Sequence, residues 1–147
     1  MYKYLEPYAA MTEFLGKALG DNVEIALHDL TSEEQEIVAI VNNHNSGREI
    51  GAKLSNLSLH YLEEKQYLDK DYVLNYKTTG ADGKLMRSAT YFIKENGKEV
   101  PVGMLCVNVN ISDLEYLTST IKRILGIKDE KDIEFKMDNP VEILSSP

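Results

Sequence analysis

Apolar side chains recur at steps of three and four through Tyr4, Tyr8, Met11, Leu15 and Ala18, and Leu5, Phe14 and Leu19 widen the same stripe. That period belongs to a helix with one buried face, so the spacing predicts an N-terminal amphipathic helix. Pro7 suits its first turn and Gly20 its C-terminal end. The period then drops to two, with Val23, Ile25 and Leu27 alternating against Glu24, Ala26 and His28. A polar turn at Thr31-Ser32-Glu33-Glu34 leads into the unbroken apolar run Ile37 to Val41. These read as two antiparallel strands, the second buried on both faces.

The polar, glycine-bearing segment Asn42-Asn43-His44-Asn45-Ser46-Gly47-Arg48 predicts a loop, and Leu54, Leu57 and Tyr61 restore helical spacing for a short helix. Three strand-like runs follow from Tyr72 onward. They are joined at Ala81-Asp82-Gly83-Lys84 and Glu95-Asn96-Gly97-Lys98, and Asp-Gly and Asn-Gly are strong hairpin signals. Pro101 falls at the start of the last run, where a missing amide donor is tolerable. Ser112-Asp113-Leu114-Glu115 has the form of a capping box opening a helix whose buried stripe would be Leu114, Leu117, Ile121 and Ile124, ending at Gly126. The order is helix, two strands, helical crossover, three strands, helix: an α+β chain with a single antiparallel sheet of about five strands and flanking helices. In the last strand Leu105, Val107 and Val109 alternate with Met104, Cys106 and Asn108, so both faces of the sheet are expected to be covered.

At 147 residues the chain is expected to form one domain over residues 1–128, with the charged segment 129–147 as a tail or linker. A net charge of -8 repels phosphate backbones and anionic headgroups, which argues against direct nucleic-acid or membrane binding. Cys106 is the only cysteine, the N-terminus lacks a secretory pattern, and no run approaches the ~20 apolar residues that span a bilayer. A cytoplasmic location is expected. There is no Gly-x-x-x-x-Gly-Lys, Gly-x-Ser-x-Gly or His-Glu-x-x-His, and His60 with Glu63 lacks the further ligands a metal needs. No enzyme, metal or cofactor is expected.

Four pieces in order, VEIALHDL (23–30), IVAIVNNHNSGREIG (37–51), LNYKTTGADGKLMRSATYFI (74–93) and VGMLCVNVN (102–110), resemble the YheO-like PAS domains that form the N-terminal part of certain bacterial helix-turn-helix regulators. The His-Ser-Gly-Arg portion of the second piece is the most diagnostic. Resemblance implies a PAS sheet with helices packed across it, a pocket between sheet and helices, dimerisation, and a DNA-binding domain downstream. This chain departs from the pattern at Asn43 and Asn45, where a glycine and an aliphatic residue are expected. Nothing after Pro140 supplies a helix-turn-helix, so DNA enters only through a domain missing from this chain.

His44, Ser46 and Arg48, with the amides of Asn42 and Asn43, offer donors and a fixed positive charge to a polar ligand; the competing reading is a self-bonded turn. Asn108 sits in an apolar strand, where an unpartnered buried amide costs on the order of 1 to 3 kcal/mol, so it needs a ligand or a backbone partner. Tyr76 and Ser88, on paired strands, face either the same cavity or ordinary sheet neighbours. His28 is a pocket candidate or a structurally satisfied strand end. Cys106 reads as a small buried hydrophobe in the core or pocket wall. The resulting expectation is a sensor that binds a small polar molecule and relays it through a homodimer whose seam is formed by the flanking helices. A constitutive dimerisation or protein-docking module, its cavity filled by side chains, is the alternative.

Overall fold

A computed structural model describes residues 1–127; the predicted tail, residues 129–147, lies outside them. A 3-10 turn at Lys3–Leu5 runs into α1 (Glu6–Leu19), followed by β1 (Val23–Asp29) and β2 (Ile37–Val41). The crossover carries α2 (Asn56–Glu63) and a 3-10 turn (Gln66–Leu68). Then come β3 (Tyr72–Thr79), β4 (Leu85–Ile93), β5 (Gly103–Asn110) and α3 (Ser112–Leu125). The strands form one sheet in the order β2-β1-β5-β4-β3, and every neighbouring pair is antiparallel. β5 therefore lies at the centre between β1 and β4, and the crossover carries the chain from one edge to the other.

Register decides which side chains share a face. Glu24 pairs with Asn108, Asn108 with Ser88, and Ser88 with Tyr76; Ala26 pairs with Cys106 and Cys106 with Thr90; His28 pairs with Met104 and Met104 with Phe92. Directly opposed residues point the same way, so these side chains line one face. On it Tyr61, Tyr67, Val73, Tyr76, Phe92, Met104 and Cys106 form a core, with Leu54, Leu57 and Leu62 packed from the crossover. The other face holds Leu27, Ile93 and Val102 with Leu5, and α1 lies there against β1 and β2. Every residue of β1 is buried, including Glu24, His28 and Asp29.

Three expectations change. The stripe of α1 is rotated: Thr12 and Gly16 are buried, while Met11, Phe14 and Leu19 are exposed. The reason is steric, because a Cβ built on Gly16 would stand 2.0 Å from Val41 Cγ1, so only the small-residue side of the helix can approach the strand. β2 is an edge strand, and Val38 to Val41 are half-buried rather than enclosed on both faces. The capping box does not form: Ile111 stands at the N-cap without a side-chain bond, Ser112 Oγ instead accepts from Leu85 N at 3.2 Å, and no residue of α3 is buried.

Gly16→Ala is accordingly expected to destabilise the fold by about 1 to 3 kcal/mol, the usual cost of forcing atoms into a filled contact. Urea unfolding monitored by circular dichroism measures it, and an unchanged midpoint would remove the close α1–β2 approach from the account.

Candidate functional site

A line of polar side chains crosses the crossover-facing side of the sheet. Glu24, 1% exposed, receives Ser46 N–H on Oε2 at 3.0 Å and Asn108 Nδ2 on Oε1 at 3.2 Å. Asn108 Oδ1 accepts from Ser88 Oγ at 2.7 Å, and Thr78 Oγ1 lies 2.7 Å from Ser88 Oγ. Since the Ser88 proton is committed to Asn108, Thr78 is the donor to Ser88. Every proton in the line thus points toward the carboxylate, the arrangement in which successive bonds polarise one another. Burial pushes the Glu24 carboxyl above its usual range, and the bonds from Ser46 and Asn108 and the Arg48 charge hold it back.

A second cluster lies beside the first. Tyr76 Oη is 2.6 Å from Thr90 Oγ1, which is 3.6 Å from Cys106 Sγ. Tyr61 meets the Tyr76 ring edge-on at 5.4 Å between centroids. Burial raises the Tyr61 and Tyr76 hydroxyls and the Cys106 thiol, so this part of the face is uncharged at neutral pH. His28, fully buried, has Nδ1 3.0 Å from Gln35 O, which makes Nδ1 the protonated nitrogen and leaves Nε2 as a bare acceptor. Neither His28 Nε2 nor Tyr61 Oη has a hydrogen-bond partner. Burial drives the imidazole pKa down from 6.5 to about 4, with the Arg48 charge adding to the effect.

The loop after β2 divides its candidates. Arg48 is half-buried and donates to Lys53 O within the loop, and its charge is felt at Glu24, His28 and Cys106. Ser46 holds Glu24 by its amide and accepts from Arg48 N at 3.0 Å. Asn42 does something else: at φ 58 it turns its Nδ2 to Gly16 O, Gly20 O and Val23 O, closing the end of α1. Asn43 donates to Arg48 O at 2.8 Å, and His44 is exposed. The structure thus brings His28, Tyr76, Ser88, Cys106 and Asn108 to one face, ties Ser46 to it through the amide on Glu24, and leaves Arg48, Asn42, Asn43 and His44 in the loop.

Sequence reasoning missed Glu24, Tyr61, Thr78 and Thr90. For Glu24 the signal was present, because a strand enclosed on both faces cannot turn its polar side to water. It missed Asn45 too. Buried, Asn45 donates to Asp21 O and Asn42 O and accepts from Asn110 Nδ2 at 3.1 Å, pinning the loop to the sheet end. An open groove of about 350 Å³ lies elsewhere, between α1 and β2, lined in part by Thr12, Lys17, Val38 and Ile50; no predicted site residue borders it. Among the described residues no group of three or more His, Cys, Asp or Glu side chains is placed to hold a metal, and no helix is long and apolar enough to cross a membrane.

Comparison with known proteins places this architecture. Residues 1–126 match the model of the YheO-like PAS domain. The chain is 31% identical over 110 residues to the uncharacterised protein YheO of Escherichia coli K12, covering 75% of this chain and 45% of that one. It is 29% identical over 124 residues to the transcriptional regulator DauR of Pseudomonas aeruginosa, covering 83% and 54%. The chain therefore spans about half the length of these relatives. An RNA-binding light-oxygen-voltage receptor structure superposes with a TM-score of 0.50 at 13% identity, over 86% of this chain and 39% of that one, a likeness of fold alone.

His28 gives the face a pH signature. A folded pKa of about 4 against 6.5 unfolded means that the unfolded chain takes up a proton first, so stability held above pH 6.5 is lost as pH falls toward 4, by about 3 kcal/mol. Glu24, raised by burial, works in the opposite direction. Comparing wild type with His28→Gln by denaturant unfolding at several pH values isolates the histidine. The variant is expected to show a flatter loss of stability between pH 6.5 and 4, and parallel curves would mean His28 is not held neutral.

Proposed function

The chain belongs to the YheO-like PAS domain family, and from that membership we propose that it is the sensing half of a bacterial transcription regulator. A small polar molecule binds between the sheet and the crossover, and the flanking helices relay its presence through a dimer to a DNA-binding half. Similarity to DauR supports the regulatory part of this reading. One observation carries the ligand part: beneath the crossover, amid side chains that are otherwise paired, His28 Nε2 and Tyr61 Oη are buried with no partner. Native interiors rarely leave such groups unmet, each costing on the order of 1 to 3 kcal/mol. A guest bearing a donor for Nε2 and an acceptor for the tyrosine hydroxyl relieves both.

Arg48 supplies the charge that selects such a guest, and Asn108 and Ser88 supply adaptable amide and hydroxyl groups. With Glu24 1% exposed and His28 fully enclosed, the guest enters only if the crossover moves. That movement is the signal, because a ligand shifts an equilibrium only as far as its affinities for the two states differ. The competing reading, a docking module without a small ligand, draws on the exposed apolar side chains of α3.

A thermal-shift screen across polar metabolites separates the two. A ligand of the folded state stabilises it by about 2.7 kcal/mol at a hundred times its Kd. The expected result is a raised Tm with at least one compound, lost in Arg48→Ala and in Asn108→Leu. If no compound shifts the wild type, or if both variants respond as it does, the sensing reading is wrong.

A further inference from the structure

The polar line on the enclosed face is built from groups that can bond in either direction. Glu24 Oε2 accepts from Ser46 N at 3.0 Å, and the Ser46 hydroxyl, itself accepting from Arg48 N at 3.0 Å, is also turned to the carboxylate. Oε1 is met by Asn108 Nδ2 at 3.2 Å. Asn108 Oδ1 takes the Ser88 proton at 2.7 Å, and Ser88 Oγ takes that of Thr78 at 2.7 Å. A carboxylate only accepts, so while Glu24 is charged the amide must keep its nitrogen toward it, and the later bonds follow from that choice.

One added proton inverts the demand. Oε2 already faces donors, so the proton settles on Oε1, where it confronts the Asn108 nitrogen, donor against donor. Glu24 is 1% exposed and cannot turn to water instead. Turning the amide over removes the conflict: its oxygen accepts from Oε1–H, its nitrogen donates to Ser88 Oγ, and the Ser88 hydroxyl rotates to donate to Thr78 Oγ1. The only covalent bond formed is Oε1–H, and the heavy atoms keep their places. Thr78, half-buried, then points its own proton away from Ser88, two residues before Gly80. The turn it leads into touches the loop that holds Ser46, because Ala81 N donates to Asn45 O at 3.0 Å. Burial raises the Glu24 carboxyl above its usual range, and the Arg48 charge opposes this. The other titratable groups of the face are His28 on β1, Tyr76 on β3, Cys106 on β5 and Tyr61 from α2, and burial holds all four uncharged at neutral pH. β4 contributes no titratable side chain to it.

We propose that this line is a reversible relay: protonation of Glu24 turns the Asn108 amide over and reverses the hydroxyl bonds as far as Thr78, so that a charge change inside the sheet is read at the β3–β4 turn. It needs no ligand and stands apart from the sensing reading.

Nuclear magnetic resonance on the whole 147-residue chain, titrated from neutral toward acid pH without added metabolites, tests it. The Glu24 carboxyl carbon, the Asn108 side-chain amide and the Thr78 methyl are expected to shift with one common midpoint. The His28 ring signals, followed in the same samples, keep the histidine's own titration apart. Glu24→Gln is expected to abolish the response at Asn108 and Thr78 and to hold both at the shifts that wild type reaches in acid, because a carboxamide nitrogen donates to Asn108 at every pH while its oxygen still accepts from Ser46. Ser88→Ala cuts the line in the middle: Glu24 and Asn108 are expected to titrate as before, and the Thr78 response is expected to be lost. Should Glu24→Gln not fold, Ser88→Ala carries the test alone. An Asn108 amide that stays unchanged while Glu24 titrates, a Thr78 that follows equally in Ser88→Ala, or a Glu24 that remains charged down to acid unfolding overturns the proposal. A failed metabolite screen leaves it standing, and a relay that does not reverse leaves the ligand reading standing.

Discussion

A carboxylate sealed inside a protein must be met by donors, and the demand made by Glu24 organises much of this domain. β1 is an interior strand with α1 on one side and the crossover on the other, and all its residues are buried, so its alternate side chains have no route to water. Glu24 answers by drawing the Ser46 amide down from the loop and Asn108 across from β5. Asn108 in turn orders Ser88 and Thr78 on the next two strands. Four strands and the loop are thereby fixed relative to one group. Breaking such a chain at one end strands a charge, and that is far costlier than losing an exposed pair.

The loop after β2 is held by the same logic. Asn42 and Asn45 serve the backbone: one closes α1, and the other ties the loop to Asp21 and Asn110. Ala81 N donates to Asn45 O at 3.0 Å, and Gly80 stands so close to that carbonyl that a Cβ would reach 2.4 Å from it. The β3–β4 turn and the loop are therefore in contact, and Ser46 and Arg48 are presented from a braced frame. The departure at Asn45 from the expected aliphatic residue has its physical counterpart in Asn110, which supplies the donor its carbonyl oxygen needs.

The order of elements was legible because local periodicity reports it. The alternation from Val23 to His28, the unbroken run at Ile37, and the Asp-Gly and Asn-Gly turns each mark one element, and all five strands stand where those signals put them. Register was not legible, since a one-residue slip moves a whole strand to the other face. That is why Tyr76 and Ser88 could be proposed but not joined, and why Glu24 passed as the polar partner of an alternating strand. The diagnostic loop misled in a different way. Its five candidates were grouped by neighbourhood in the chain, yet Asn42, at a positive φ, turns its side chain toward α1, the Ser46 amide reaches Glu24 on the sheet, and Arg48 bonds back to the loop at Lys53 O.

The helices show where periodicity reaches its limit. A repeat of 3.6 says that one side of a helix seeks cover, but not which surface provides it. In α1 the sheet accepts the side carrying Thr12 and Gly16, since only there can the backbone come close enough to Val41, and Met11, Phe14 and Leu19 are left facing outward. In α3 the whole predicted stripe is outward. Part of the apolar pattern is thus left on the outer side of both flanking helices, while the sheet's enclosed face carries Glu24, His28, Ser88 and Asn108 among its apolar side chains. Apolar surface left exposed on the flanking helices gains free energy only when another surface removes it from water, so their pattern reports a demand for cover that the described residues do not meet.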